Sequence, residues 1–293
     1  MGQLSSEIEY LCKQERSHQA VLERTSMVRP PAVAGRFYPA DPHELARQID
    51  HYCPGDAKKS PARGCLVPHA GYMYSGHVAG AVYAALEIPA RSILLGPRHY
   101  PRGQPMAILT EGGWRTPLGG AQIDSALAAA LVRACPRLRE DTVAHEREHS
   151  LEVQLPFLQR MAADFRFVPV VLATDQYPAL EELGHAIAQV VRAQADPVLV
   201  IASSDMNHYE SDSITRTKDH LAIERILAVD PPGLYNTVHS EGITMCGYAA
   251  TVAALIALLE LGAKHAELIR YATSGDINGD RDEVVGYAGI ILR

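Results

Sequence analysis

The sequence has few cysteines, and none stands in a pattern that would give it a structural role. The five, Cys12, Cys53, Cys65, Cys135 and Cys246, form no CxxC pair and are odd in number. That argues against a disulfide scaffold and for a reducing, cytoplasmic setting. Basic residues form no block: 27 Lys and Arg are spread against 34 Asp and Glu, for a formal net charge of -7. A nucleic-acid-binding surface is therefore not expected. No apolar stretch of about 18 residues runs uninterrupted, as a membrane span needs; the longest, near Ala249 to Leu261, is broken by Thr251 and Glu260. Met1 to Thr25 is polar and lacks the apolar centre of a signal peptide. No GxGxxG follows a first strand and no Walker lysine motif occurs, so nucleotide binding has no support. Internal repeats, low-complexity tracts and an interdomain linker are also missing.

What remains is an ordinary globular balance, 47% hydrophobic and 21% charged over 293 residues, enough for a large core. Residues 1–26 read as a helical or partly ordered extension, and 27–293 as one α/β domain. Val28 to Pro42 carries two adjacent prolines, and its run Gly35-Arg36-Phe37-Tyr38 either lines a pocket or packs a sheet edge. Asp41 is expected to cap a helix that has Pro42 first and Glu44 three residues after the cap. From Arg63 onward apolar runs and helical patterns alternate. Strands are expected near 63–67, 92–96, 105–110, 166–172, 197–202, 266–272 and 284–292. Helices are expected near 76–87, 123–134, 150–162, 178–194, 212–228 and 246–261. Such alternation implies a central, mostly parallel sheet covered by helices on both faces. The run Met106 to Leu109 departs from it and, with Trp114 and Thr116 to Gly119, reads as a hairpin-like excursion.

The stretch Leu66-Val67-Pro68-His69-Ala70-Gly71-Tyr72 organises the rest. An apolar strand stops at a proline, a histidine follows, Gly71 permits a turn, and Ser75 is placed as the cap of the next helix. Open α/β sheets bind ligands at the carboxyl ends of their strands. The same arrangement recurs at Gly96-Pro97-Arg98-His99 and at Ser203-Ser204-Asp205-Met206-Asn207-His208. Three strand ends that each deliver a histidine point to one polar site, and Asp205 accompanies the third. His145-Glu146-Arg147-Glu148-His149 has HExxH spacing. The apolar periodicity starts only at Leu151, however, so the two histidines do not share a helix face as a zinc protease requires. His149 and Glu152 are expected to point into the cleft. Cys246 precedes a long apolar helix, where the dipole favours thiolate, a nucleophile and a metal ligand; a small buried residue at a helix start is the alternative. Asp276 lies in a run with part of an EF-hand pattern but no Glu at its twelfth position, and reads as a tight loop.

These motifs resemble, in order, those of the Memo family and its bacterial and archaeal branch, AmmeMemoRadiSam system protein B. They are Val33 to Pro39, Pro68 to Tyr72, Gly96 to His99, Glu148 to Glu152, Ser203 to His208 and Met245-Cys246-Gly247. The resemblance covers about residues 28 to 293. It implies a fold like that of the class III extradiol dioxygenases and a metal site of two histidines and a cysteine, falling here on His69, His99 and Cys246. The ion implied is iron or copper, with zinc as a further option. His149, Asp205 and His208 are assigned to the same cleft as catalytic residues that orient ligands or substrate. The sequence departs from the family at Ala32-Val33-Ala34-Gly35, where a histidine is usual, and at Tyr100, where a second histidine is usual. An unknown small molecule or peptide is the expected partner in the cleft. By the family name, radical-SAM and AMMECR-type proteins are expected partners too, with no nucleic acid and no membrane. Three functions follow as expectations: metal-dependent redox or oxygenase-type chemistry, a scaffold that keeps the cleft without catalysis, and a metal-independent hydrolase with Cys246 as nucleophile and His69 or His208 as base.

Overall fold

A computed structural model describes residues 28–53, 55 and 57–293; the extension expected over 1–26 lies outside the described residues. Strand β1, Val28–Arg29, leads into helix α1, Pro42–Tyr52, which Asp41 caps by accepting the Glu44 N–H at 2.8 Å. Strand β2, Gly64–Val67, is followed by α2, Tyr72–Ala84, and by β3, Arg91–Pro97. The excursion comes next as β4, Met106–Ile108, and a hairpin of β5, Gly113–Thr116, and β6, Gly119–Ile123. Helix α3, Ser125–Ala134, β7, Arg139–Glu140, and the five-residue α4, Thr142–Glu146, precede a 3-10 turn, Glu152–Gln154, and α5, Leu155–Met161. The second half holds β8, Arg166–Leu172, α6, Tyr177–Arg192, β9, Leu199–Ser203, β10, His208–Glu210, α7, Asp212–Leu227, and α8, Pro231–Ser240. It closes with α9, Tyr248–Glu260, β11, Ala266–Thr273, α10, Gly275–Asn278, and β12, Val284–Leu292.

The strands make one sheet in the order β1-β5-β6-β8-β3-β9-β2-β12-β10, with β11 beside β12 and β4 beside β8. From β6 to β2 the neighbours are parallel; the antiparallel β12 and its partners close one flank and the hairpin the other. The central strands are apolar throughout rather than alternating, because both faces are covered. Leu66, Val67, Ile93, Leu94, Leu95, Val170, Val171, Val200 and Ile201 are all buried. Helix α9 is apolar around its circumference for the same reason: it lies between the sheet and α6, buried from Ala249 to Leu258. A Cβ on Gly184 of α6 would come within 2.6 Å of Ile256, so the two helices pack that closely only because residue 184 is glycine.

Two expectations are corrected. The helix after β2 starts at Tyr72, with Gly71 as its cap, and Ser75 lies inside it, donating to the Ala70 carbonyl at 3.0 Å. The early start is set by Tyr72 N–H donating to the Phe37 carbonyl at 2.7 Å, which holds Gly71 in an extended turn. Helix α8 was not expected from its Pro231-Pro232-Gly233 start. Asp230 supplies the cap, accepting from Gly233 N–H at 2.9 Å, and proline is at home in a first turn.

Candidate metal centre

β3, β9 and β2 lie side by side and parallel, so their carboxyl ends open on one edge of the sheet. His69 stands two residues after β2 and His99 two after β3. β9 ends at Ser203 and the chain runs through Asp205 to His208 at the start of β10. His149 comes from the loop after α4, and Cys246 stands two residues before α9. All six line one cleft of about 610 Å³, together with Phe37, Tyr209, Thr244, Val285 and Tyr287. A Cβ on Gly247 would come within 2.4 Å of the Ser203 carbonyl, so glycine there is what lets the Cys246 loop approach the end of β9.

Ligand atoms of His69, His99 and His149 all lie within 4.8 Å of one another. The His99 and His149 rings stack at 4.5 Å between centroids, and His69 stands edge-on to both. The hydrogen bonds then fix which nitrogens are free. Ser203 Oγ gives its one proton to the Ser150 carbonyl at 2.7 Å, and Gln154 Nε2 donates to it at 2.9 Å. Toward His69 Nδ1, 3.0 Å away, the hydroxyl can therefore only accept. His69 thus carries its proton on Nδ1 and turns the Nε2 lone pair outward, where Cys246 Sγ lies at 3.2 Å. His99 Nδ1 donates to Glu148 Oε1 at 2.9 Å, which likewise frees Nε2. His208 Nδ1 donates to the Thr244 carbonyl at 2.9 Å. Tying one imidazole nitrogen to orient the other is how proteins prepare histidine to hold a metal.

Burial and neighbouring charge set the protonation. Burial, and then the charges of His99, His149 and His208, hold His69 well below its ordinary pKa, so it is neutral. Burial also takes His149 down to about 4, against the pull of Glu148. For His99 burial works downward too, but the hydrogen bond and charge of Glu148 outweigh it and raise the pKa. Glu148 is buried, which pushes its carboxyl up. Its hydrogen bond with His99, the charges of His99 and His149, and the Ser150 N–H prevail and bring it down to about 2. That carboxylate also accepts the backbone N–H groups of His99 at 2.5 Å and His149 at 2.9 Å. Burial, then the negative charge of Asp205, push the Cys246 thiol well up. In the metal-free chain burial thus opposes the thiolate that the start of α9 was expected to favour, although Cys246 itself is only half-buried.

The donor set suits a transition metal. Three imidazoles, of which His69 and His99 each have one nitrogen already committed, and a thiol against His69 match the ligand types of iron, copper and zinc sites, and the Glu148 carboxylate stands behind His99. Across the chain, the family model described as Memo-like protein matches residues 29–291. The chain belongs to the Memo family. A MEMO1 family protein of Methanopyrus kandleri is 44% identical over 282 residues, covering 91% of this chain and 99% of that one. Another, from Methanothermobacter thermautotrophicus, is 41% identical over 275 residues, covering 89% and 99%. Among solved structures, an uncharacterized protein from Escherichia coli K12 shares the fold with a TM-score of 0.52 at 14% identity, covering 76% of this chain and 98% of that one.

In this Memo-family chain the sequence-predicted residues His69, His99, His149, Asp205, His208 and Cys246 meet in one cleft. His149, read as an orienting residue, brings its nitrogen into the same group as His69 and His99, while Cys246 touches that group through His69. Asp205 accepts the backbone N–H of His69 at 2.7 Å and so braces the loop rather than a ring. Glu152 does not point into the cleft. It is buried and accepts from Arg29 Nη1 at 2.7 Å, Tyr38 Oη at 2.7 Å and the backbone N–H of Ala32 and Val33. The run 35–38 lines a pocket of about 440 Å³, Phe37 lines the cleft as well, and Tyr38 also donates to Glu152. Sequence reasoning missed Glu148 and Ser203. Glu148 adjoins a candidate ligand, and Ser203 ends a strand on the residue before the polar run; both positions were legible as supports.

Proposed function

We propose that this Memo-family protein holds one iron or copper ion through His69, His99 and Cys246 and carries out redox or oxygenase-type chemistry on a small molecule or peptide. One contact carries the reading: Cys246 Sγ stands 3.2 Å from His69 Nε2, the nitrogen left free once Nδ1 is bound to Ser203. A bound iron or copper ion supplies one-electron redox and Lewis-acid chemistry. The chain supplies the rest. Glu148 holds the His99 ring through Nδ1, and Ser203 holds His69. His208 offers its free Nε2 to a substrate proton, Asp205 keeps the His69 loop in place, and Phe37 and Tyr287 shelter the cleft from water. The implied resemblance to extradiol dioxygenases supports the oxygenase direction.

The three-histidine geometry favours a second reading, in which His149 takes the place of Cys246 among the ligands. Anaerobic purification with iron or copper(I), followed by elemental analysis, tests both. About one equivalent per chain is expected, and uptake of a small fraction of that ends both readings. If Cys246→Ser empties the site and His149→Ala leaves it filled, the first reading holds; the reverse pattern selects the second.

A further inference from the structure

Behind the cleft, two loops that come from distant parts of the chain are laced together by one buried side chain. Asn207 is fully buried, and each of its polar atoms is used. Its Oδ1 accepts the backbone N–H and the hydroxyl of Thr244, both at 3.0 Å. Its Nδ2 donates to Glu210 Oε2 at 2.7 Å and to Thr215 Oγ1 at 3.3 Å. Its own N–H donates to Asp219 Oδ1 at 2.8 Å, and its carbonyl accepts from Gly286 N–H at 3.0 Å. Residue 286 must be glycine for this, since a Cβ there would come within 1.8 Å of Asp219 Oδ2.

Thr244 passes the constraint on in two directions. Its carbonyl accepts from His208 Nδ1, and its hydroxyl accepts from His208 N–H at 2.7 Å. Two residues later the same loop presents Cys246 to His69. A second lace, Gly247 N–H donating to Ser204 Oγ at 2.9 Å, ties the loops again on the far side of Cys246. We infer that Asn207 is a positioning residue that sets the tautomer of His208 and the place of Cys246 together, by clamping Thr244 between the 205–208 loop and the start of α9. A buried amide suits this role because it both donates and accepts, and does neither with a charge that would compete for a cation in the cleft.

The inference rests on the reading of the cleft as the functional site, but its first readout needs no metal. In metal-free protein, nitrogen NMR of His208 over a pH series should show the Nδ1–H tautomer for the neutral ring. In Asn207→Ala it should shift to a mixture with the Nε2–H form. Cobalt(II), used as the probe ion, should bind the variant about 10- to 100-fold more weakly, the effect of losing an outer support. Its thiolate charge-transfer band should fall as well. Thr244→Val keeps the carbonyl but removes the hydroxyl, serves if Asn207→Ala does not fold, and should show the same changes to a smaller extent; Thr244→Ser should restore wild-type behaviour. Leu131→Ala, a core change in α3 that is distant in the fold, controls for lost stability and should leave tautomer and affinity alone. A folded Asn207→Ala or Thr244→Val protein with wild-type tautomer and cobalt affinity overturns the inference, and so does a control that reproduces the changes. If wild type takes up no cobalt yet the tautomer shifts in Asn207→Ala, the clamp stands and the metal reading falls.

Discussion

His145 and His149 are four residues apart and face opposite fates. His149 enters the polar cleft, with Glu148 beside it and two other histidines in reach. His145, on α4, is buried against Trp114 with both ring nitrogens unpartnered among the described residues, beside a pocket of about 230 Å³ whose lining includes Val28, Arg29 and Ile123. Arg29 joins the two sides: it lies over the Trp114 ring at 4.1 Å and binds the carbonyls of His145 and Glu148 and the Glu152 carboxylate. The contrast teaches that burial does not make a histidine functional. What distinguishes the cleft is that each histidine from a strand end has one nitrogen tied and the other free, whereas His145 has neither tied.

The comparison can be broken in four ways, taken from the largest effect down. His69→Ala should lose nearly all bound metal by elemental analysis while circular dichroism stays unchanged; retention of a full equivalent would remove His69 from the ligand set. Trp114→Ala should cost roughly 3–5 kcal/mol in chemical denaturation, as large aromatic deletions in cores do, with metal stoichiometry unaltered. A Trp114 variant that keeps its stability and loses metal would join the two regions that the contrast separates.

Glu148→Gln should weaken metal binding about 10- to 100-fold through misorientation of His99, and competition with a chelator measures it. His145→Leu should stabilise the fold by about 1 kcal/mol, since it removes a buried unpaired polar group, and should leave metal binding alone. The acid limb of stability reports on the same two sites, with His69 and His149 of the cleft adding to its upper part. Burial, helped by the Arg29 charge and opposed by Glu148 and Asp141, takes His145 from 6.5 down to about 3. Between those values the unfolded chain binds the extra proton, so stability falls as pH drops from 6.5 toward 3. Glu148, lowered from 4.5 to about 2, contributes stability that is present above 4.5 and lost as pH falls toward 2. His145→Leu should therefore flatten the upper part of the acid limb and Glu148→Gln the lower part. Urea midpoints at a series of pH values test this, and a His145→Leu profile that follows wild type would discard the assignment.

The fold was legible where one signal ruled. The runs at 166–172 and 284–292 were expected as strands to the residue, because strands buried on both faces are apolar nearly throughout, here after the exposed Arg166. It was less legible where a tertiary contact decided: Tyr72 starts a helix because of the Phe37 carbonyl, 35 positions away by number. At the site, residue type and strand-end position brought out His69, His99, His208 and Asp205, the place before an apolar helix brought out Cys246, and the family motifs put Cys246 with His69 and His99. That His149 would stand close enough to group with His69 and His99 was not legible, because a loop's direction depends on what anchors it, here Glu148 and Arg29. Glu152 shows the same limit: nothing near it in sequence announces that Arg29, 123 residues away, will turn it inward.

His69 and Cys246 are 177 residues apart in the chain. At synthesis rates of roughly 5–20 residues per second, about 9 to 35 seconds separate the emergence of the first from that of the second. Throughout that interval the histidines exist without the thiol that meets them. The sheet edge cannot assemble its full donor set until the start of α9 has been made, and β12, which pairs with β2, comes later still. If Cys246 is a ligand, as proposed, loading would wait until the start of α9 has been made, and a ribosome-bound chain stopped before Cys246 would offer imidazoles and carboxylates but no thiol.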